Sequence, residues 1–500
     1  GSGQRCWWKT RTWDSEGRPG PFSEPAWFEM GLLSPSDWQA NWIGFPGAWP
    51  GKALYFRCDF QLEKAVRRAR IYMVGLGWSE LWLNGQRVND RVLDPPQSNY
   101  TRRVLYSTDA VEDKLRPGDN TIGVVCGNGW YGTARLLLQM NVEYQDGATV
   151  TISSKGSHWE RWLVSSGPVR ENSVFDGEVY DARLEDTGWC MPGSPGGNWL
   201  AASNAEGPGS RLAAAALEPI RVVDTLRAKA ITQPRPGVYV FDLGQNIAGW
   251  ARLRVRGTEG QRVSLRFAES LYPDGTINQE NLRGALAEDV YILKGQGEET
   301  WEPRFTYHGF RYIQVEGYPG SPTAEEVEGR VVRSAVESCG EFSCSSELFN
   351  RIHKMIRQTE AANLHSLPTD CPQRDERMGW LNDMAARTEE ALYNFNLARL
   401  LSKWTADIED EQDPNTGAIT DTAPFRWGRR PADPVSVCYL LIPWLLYVHF
   451  GDTHTMAGRY AGMKAWVDFL TSRADDGIVE YSYYGDWAPP VRYGLDGSMG

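Results

Sequence analysis

No stretch of this 500-residue sequence stays apolar long enough to cross a bilayer. The longest run, Val435 to Val448, is about fourteen residues and contains Pro443, where a spanning helix needs roughly 20. Positive charge is short as well. Lys and Arg number 52 against 64 Asp and Glu, a formal charge of −12. That argues against nucleic acid or an anionic membrane surface as a partner. Histidine is scarce: six in all, with no H-E-x-x-H pattern, so no zinc site is expected. No D-x-D-x-D-G loop argues for calcium, and nothing calls for a cofactor. The eight cysteines (Cys6, Cys58, Cys126, Cys190, Cys339, Cys344, Cys371, Cys438) lack paired spacing. They read as reduced, mostly buried thiols, which favours a cytoplasmic location. No signal peptide is visible, but the chain opens Gly1-Ser2-Gly3, and the natural N-terminus is expected to lie elsewhere.

Aromatic residues are plentiful: 22 Trp and 21 Tyr. Such side chains fill β-sandwich cores, and exposed they offer flat faces to the apolar edges of sugars. Length alone suggests about three domains. Residues 1–33 read as strand, turn around Gly17–Pro21, strand: the last hairpin of a β-sandwich whose other strands are absent. Residues 34–219 show short strands between Gly and Pro turns, with a hairpin signal at Asn84-Gly85. Within them GNGWYG is a literal G-x-G-x-x-G (Gly127, Gly129, Gly132). A dinucleotide site needs a helix to open there, and the following TARLLLQMNVEYQDG reads as a strand instead. Residues 220–330 form a second all-β unit, in which His308 is either a ligand or a satisfied histidine at a strand end.

After a linker at 325–346 the period changes from 2 to 3.6. Leu348, Ile352, Met355, Ile356 and Thr359 fall on one stripe, and Leu381, Met384, Ala385, Thr388, Leu392 and Phe395 point inward on another. Residues 331–500 are therefore helical, with further helices at 433–450 and 456–470. The last residues, with Gly494 and Gly497, read as an open loop, and this end too is expected to be cut.

The stretch that concentrates chemistry is TDCPQRDERMGWLND, Thr369–Asp383. A helix from about Gln373 would bring Glu376, Trp380 and Asp383 (i, i+4, i+7) within roughly a 60° arc. Two acids flanking an indole suit a polyol that presents hydroxyls and an apolar edge. The plainer alternative is a solvated helix face laced with i,i+4 ion pairs, with Asp370 as its N-cap.

DCPQRDER-x-GW-x-x-D closely resembles the signature of the bacterial α-L-rhamnosidases. GNGWYG and its surroundings, DLGQNIAGW and PRFTYHGFRYIQVEGY resemble segments of the same family, so the likeness extends over essentially the whole chain. The resemblance implies a multidomain α+β protein: β-sandwich and jelly-roll modules, then the first half of an (α/α)6 toroid. It implies an inverting glycoside hydrolase acting on a rhamnose-containing glycoside, with no metal and with a homodimer allowed. Glu376 resembles the general acid. Asp370, Arg374 and Asp383 resemble the groups that hold the sugar hydroxyls, and Trp380 and Trp487 the indoles lining the pocket. The chain departs from the family twice. The general base matches nothing in residues 1–500, where Asp421, Asp433 and Asp486 are the loop carboxylates available as substitutes; turnover is therefore not expected. Val435 stands where many relatives carry Trp after an Asp-Pro pair, implying one smaller wall. The competing readings are a toroidal glycosidase for another deoxy or neutral sugar, and a non-catalytic carbohydrate-binding protein.

Overall fold

The computed structural model describes residues 1–156, 161–193 and 196–484. The chain divides into two compact units. The first holds Gly1–Asn89, Arg103–Gly167 and Asp186–Ala215. Its N-terminal ribbon pairs Arg5–Trp8 with Ala26–Glu29, antiparallel, as the sequence suggests. The remainder is a sandwich. One sheet has seven strands, centred on Arg135–Tyr144 and Val66–Leu76; the other has six, centred on Leu54–Leu62 and Gly118–Gly127. Leu54, Phe56, Cys58, Phe60 and Leu62 alternate inward from the second sheet. They meet Ile71, Met73, Leu136, Leu138 and Met140 from the first in one buried core, as period-2 patterning requires. Trp78–Leu83 turns back through Asn84 and Gly85, both at positive φ (50° and 80°), onto Gln86–Arg87, the backbone a two-residue hairpin demands. GNGWYG leads from strand Gly118–Gly127 into strand Arg135–Tyr144, with no helix for a pyrophosphate.

The second unit holds Asp90–Arg102, Pro168–Glu185 and the chain from Ala216. Two strands that sequence order puts within 34–219, Val169–Ser173 and Gly177–Asp181, join its ten-stranded sheet instead. Gly177–Asp181 pairs parallel with Glu288–Ile292. The sheet also contains Val327–Ser334, which takes up 8 residues of the expected linker at 325–346 and spans position 330. Strand pairing over long sequence separation leaves no local mark, so the sheet that Val169–Ser173 and Gly177–Asp181 join was not legible in sequence order. His308 is fully buried, with Nε2 3.2 Å from both carboxylate oxygens of Asp289 and its ring stacked on Phe267. It is a structural residue held through Nε2, while its buried Nδ1 meets no hydrogen-bond partner among the described residues.

Five helices follow among the described residues: α1 Glu347–Ala362, α2 Leu381–Asn394, α3 Ala398–Glu411, α4 Cys438–Phe450 and α5 Thr453–Ser472. Helix α4 packs on α2, α3 and α5. Leu381, Met384, Thr388 and Leu392 of α2 are buried, as is Phe395 just beyond it. The α1 stripe is not: Leu348, Ile352, Met355 and Ile356 are exposed, as are Trp444, Tyr447 and Val448 of α4. None of the described helices is long and apolar enough to cross a membrane. None of the eight cysteines forms a disulfide among the described residues, and five are buried.

Candidate active site

Between α1 and α2 the chain runs through the acidic motif, and this stretch is a loop. The expected helix from Gln373 does not form. Arg377 adopts φ +59°, a left-handed conformation that no helix interior accommodates, and α2 starts only at Leu381 with Trp380 extended at its N-cap. Asp370 is not a helix cap either. Its backbone N–H donates to Met378 O at 2.9 Å and its Oδ1 accepts the Met378 N–H at 2.8 Å, closing the loop on itself.

The alternative of a solvated charge run fails at Arg377, whose side chain is fully buried. Its guanidinium donates to the carbonyls of Val174 (2.6 Å), Gln373 (3.0 Å), Arg374 (3.0 Å, from Nε) and Tyr307. It also lies over the rings of Phe175 and Tyr307, 5.4 and 4.9 Å from their centroids. A charge so far from water persists only when its donors are spent in this way. Gly309 permits the close approach of the loop to strand His308–Glu316: a Cβ there would come within 2.8 Å of Pro372 and Gln373.

Folded like this, the loop brings together five of the six residues singled out in the sequence. Asp370, Arg374, Glu376, Trp380 and Asp383 line one cavity of about 280 Å³, with Arg283, Asn382, Trp427 and Tyr484. The sixth, Trp487, lies outside the described residues, as does Asp486. Trp380 Nε1 donates to Glu376 Oε1 at 2.7 Å. Glu376 Oε2 faces two guanidiniums, Arg283 Nη2 at 2.9 Å and Arg374 Nε at 3.1 Å. Arg283 also bonds Asp375 Oδ1 at 2.7 Å. Burial pushes the Asp370 carboxyl above its ordinary value. Asp383 is raised as well, first by the protein around the cavity wall and then by the charge of Asp370. No side chain among the described residues hydrogen-bonds the Asp383 carboxylate; it opens on the cavity.

Asp370, Cys371 and Glu376 present potential ligand atoms within 4.8 Å of one another. They suit a cation poorly. Burial pushes the Cys371 thiol up to about 12, whereas a metal binds the thiolate, and Glu376 already serves two arginines.

The two described substitutes for a base are framework residues. Asp421 accepts the backbone N–H groups of Asp433 (2.8 Å) and Arg429 (2.7 Å). Asp433 accepts those of Tyr483 and Tyr484 and the Ser482 hydroxyl. Burial raises Asp421. In Asp433 burial works upward too, but these hydrogen bonds outweigh it and the carboxyl ends below the usual range. Neither lines the cavity. Asp421→Ala should cost about 1–3 kcal/mol through its orphaned N–H groups, read as a lower urea midpoint; an unchanged midpoint would remove Asp421 from the framework.

Val435, the expected smaller wall, is half exposed and does not line the cavity; Trp427 does. Arg283, Asn382, Trp427 and Tyr484 escaped the reading of the sequence. Trp427 and Tyr484 stood among many aromatics, and Arg283 is 93 residues from Glu376, with no pattern to connect them.

Four family models match in chain order: a Rha78A-like N-terminal immunoglobulin domain at 1–34, an alpha-L-rhamnosidase N-terminal domain at 64–224, a bacterial alpha-L-rhamnosidase concanavalin-like domain at 232–333, and a bacterial alpha-L-rhamnosidase 6 hairpin glycosidase domain at 337–498. The chain is 38% identical over 506 residues to an alpha-L-rhamnosidase of Streptomyces avermitilis, covering 96% of this chain and 47% of that protein. It superposes on the alpha-L-rhamnosidase structure from Dictyoglumus thermophilum with a TM-score of 0.94 at 43% identity, covering 97% of this chain and 57% of that one. For the Streptomyces avermitilis alpha-L-rhamnosidase complexed with L-rhamnose the TM-score is 0.91 at 30% identity, covering 97% and 65%. The chain spans about half the length of the curated relatives it matches.

Proposed function

We propose that this chain, all four of whose matched domains are of alpha-L-rhamnosidase type, is part of a bacterial α-L-rhamnosidase and that its cavity binds a terminal α-L-rhamnosyl unit for hydrolysis by an inverting, single-displacement mechanism. The observation that carries the reading is Asp383: a carboxylate in the cavity wall whose oxygens accept from no side chain among the described residues. The carboxylate is exposed to the cavity and free to accept from a ligand, and vicinal sugar hydroxyls supply two donors for it. Asp370 and Arg374 complete the polar side. Trp380 offers its indole to the sugar's apolar edge and methyl group, and Trp487 shares that role by resemblance.

Glu376 is the general acid, delivering its proton to the leaving oxygen. Its Oε1 is fixed by Trp380 Nε1 and its Oε2 by Arg283 and Arg374. An inverting reaction also needs a carboxylate about 6.5–9.5 Å from the acid to activate water. Asp421 and Asp433 are committed to the framework and Asp486 lies outside the described residues; because the chain spans about half the length of its curated relatives, we assign that group to the part of such an enzyme that this chain does not span. The five helices are then the first half of an (α/α)6 toroid. The exposed apolar faces of α1 and α4 support this, since further helices would bury them.

The test is calorimetric titration with L-rhamnose and p-nitrophenyl α-L-rhamnoside, beside an assay for p-nitrophenol release. Binding of both with no release is the expected result. Release that disappears in Glu376→Gln would keep the acid but refute the assignment of the base. No binding of either ligand, or tighter binding of the matching fucoside or glucoside, would refute the rhamnoside reading.

A further inference from the structure

The cavity has a chemically divided lining. Asp370, Arg374, Glu376, Asn382 and Asp383 make one part polar and charged, while Trp380, Tyr484 and Trp427 make another aromatic. Trp380 is engaged: it bonds Glu376 and meets the Tyr484 ring edge-on at 5.6 Å. Trp427 differs from both, being 65% exposed while it lines the same cavity.

A scattered exposed indole needs no explanation; the loop that carries this one is unusual. Thr420, Asp421, Thr422 and Ala423 are all at most 2% exposed. The Thr422 hydroxyl donates to Trp427 O at 2.7 Å and lies 3.3 and 3.4 Å from the N–H groups of Arg426 and Trp427. Asp421 and Arg429 exchange hydrogen bonds across the base of the loop. The Leu381 N–H donates to Asp421 O, and that of Ala423 to Gly379 O, tying the loop to the end of the acidic motif. Gly379 permits that approach, because a Cβ there would stand 2.5 Å from Ala423 O. A buried, hydrogen-bonded base at 420–424 thus carries a short exposed turn that presents a large apolar side chain to the site. Binding a flat ring there costs little ordering entropy.

We propose that Trp427 is the platform for the leaving group, stacking on the flat apolar face of the ring to which the rhamnosyl unit is attached, whether an aromatic aglycone or a second sugar. The proposal rests on the reading of the cavity as a rhamnosyl site. A sugar held by the carboxylates leaves the exposed indole, at another part of the same lining, available to the attached group.

The experiment is calorimetric titration of this chain and of Trp427→Ala and Trp427→Phe with L-rhamnose, methyl α-L-rhamnoside, p-nitrophenyl α-L-rhamnoside and a rhamnosyl-glucose disaccharide. The native chain should bind the aryl glycoside, the disaccharide or both more tightly than the methyl glycoside; which of them does so identifies the kind of leaving group. Trp427→Ala should remove that advantage, about tenfold for an aromatic stack, leave free rhamnose within about twofold, and be largely rescued by Trp427→Phe. Equal weakening for rhamnose and the aryl glycoside would overturn the proposal by making the indole part of the sugar pocket; no change for any ligand would overturn it as well. A native chain that binds no rhamnoside, whatever stands at 427, refutes the reading of the cavity itself, and the platform with it.

Discussion

Arg377→Ala should lower the unfolding free energy by about 3–5 kcal/mol, the range for breaking a buried, paired charge. The substitution leaves the carbonyls of Val174, Tyr307, Gln373 and Arg374 without their donor, and a void between Phe175 and Tyr307. Those carbonyls come from three separate stretches of chain, so the loss also frees the loop that carries Glu376. Arg377→Lys should recover only part of it, since an ammonium has three donors and no planar fork to reach four acceptors. Urea unfolding followed by tryptophan fluorescence gives the magnitude, and rhamnose titration shows the cavity lost alongside. A shift below about 1 kcal/mol for Arg377→Ala would mean that this side chain does not anchor the loop.

Asp383→Ala should have the opposite signature: rhamnose affinity down at least about a hundredfold, stability unharmed. Two hydrogen bonds to a charged acceptor, at about 1.5–3 kcal/mol each, are lost with the ligand, whereas no protein side chain among those described loses a bond. The pH dependence has a definite sign. The Asp383 carboxyl is raised in the folded chain above the ordinary 3.8. Its contribution to stability is therefore full below 3.8 and lost as pH rises through the folded value. Asp383→Asn removes that loss, giving a small gain in melting temperature at pH 7 and none below pH 3.8. Rhamnose binding by the native chain should weaken as pH falls through the same raised value, because the protonated carboxyl has one acceptor fewer to offer. Titrations between pH 4 and 7 test this. Affinity that stays flat across that range, or an Asp383→Ala variant that still binds rhamnose, would take the sugar contact away from this residue.

The two predictions separate what a residue does for the loop from what it does for the ligand, a distinction the motif conceals. In RDER every residue is charged, and charge patterning treats them alike. Arg377 is interior framework, Asp375 and Glu376 are bridged by Arg283, and Arg374 faces the cavity. The i, i+4, i+7 spacing of Glu376, Trp380 and Asp383 suited a helix, but the three meet because an irregular loop folds over them. Trp380 and Glu376 are joined by a hydrogen bond rather than by a shared helical face.

Local patterning determined a good deal of this protein by itself. Period-2 alternation marked the strand Leu54–Leu62, Asn84-Gly85 marked a hairpin that only positive φ can close, and a strand pattern after GNGWYG excluded a nucleotide loop. The inward stripe of α2 was legible for the same reason, since burial of one helical face repeats every turn. The residues proposed as the acid, the indole and the sugar-facing carboxylate lay in a single contiguous motif. Tertiary structure alone decided that Gly177–Asp181 pairs with Glu288–Ile292, that Arg283 crosses 93 residues to reach Glu376, that Asp421 and Asp433 serve the framework, and that Trp427 rather than Val435 lines the cavity. Each of these depends on contacts between residues far apart in the chain, and such contacts impose no period and no spacing on the residues that make them.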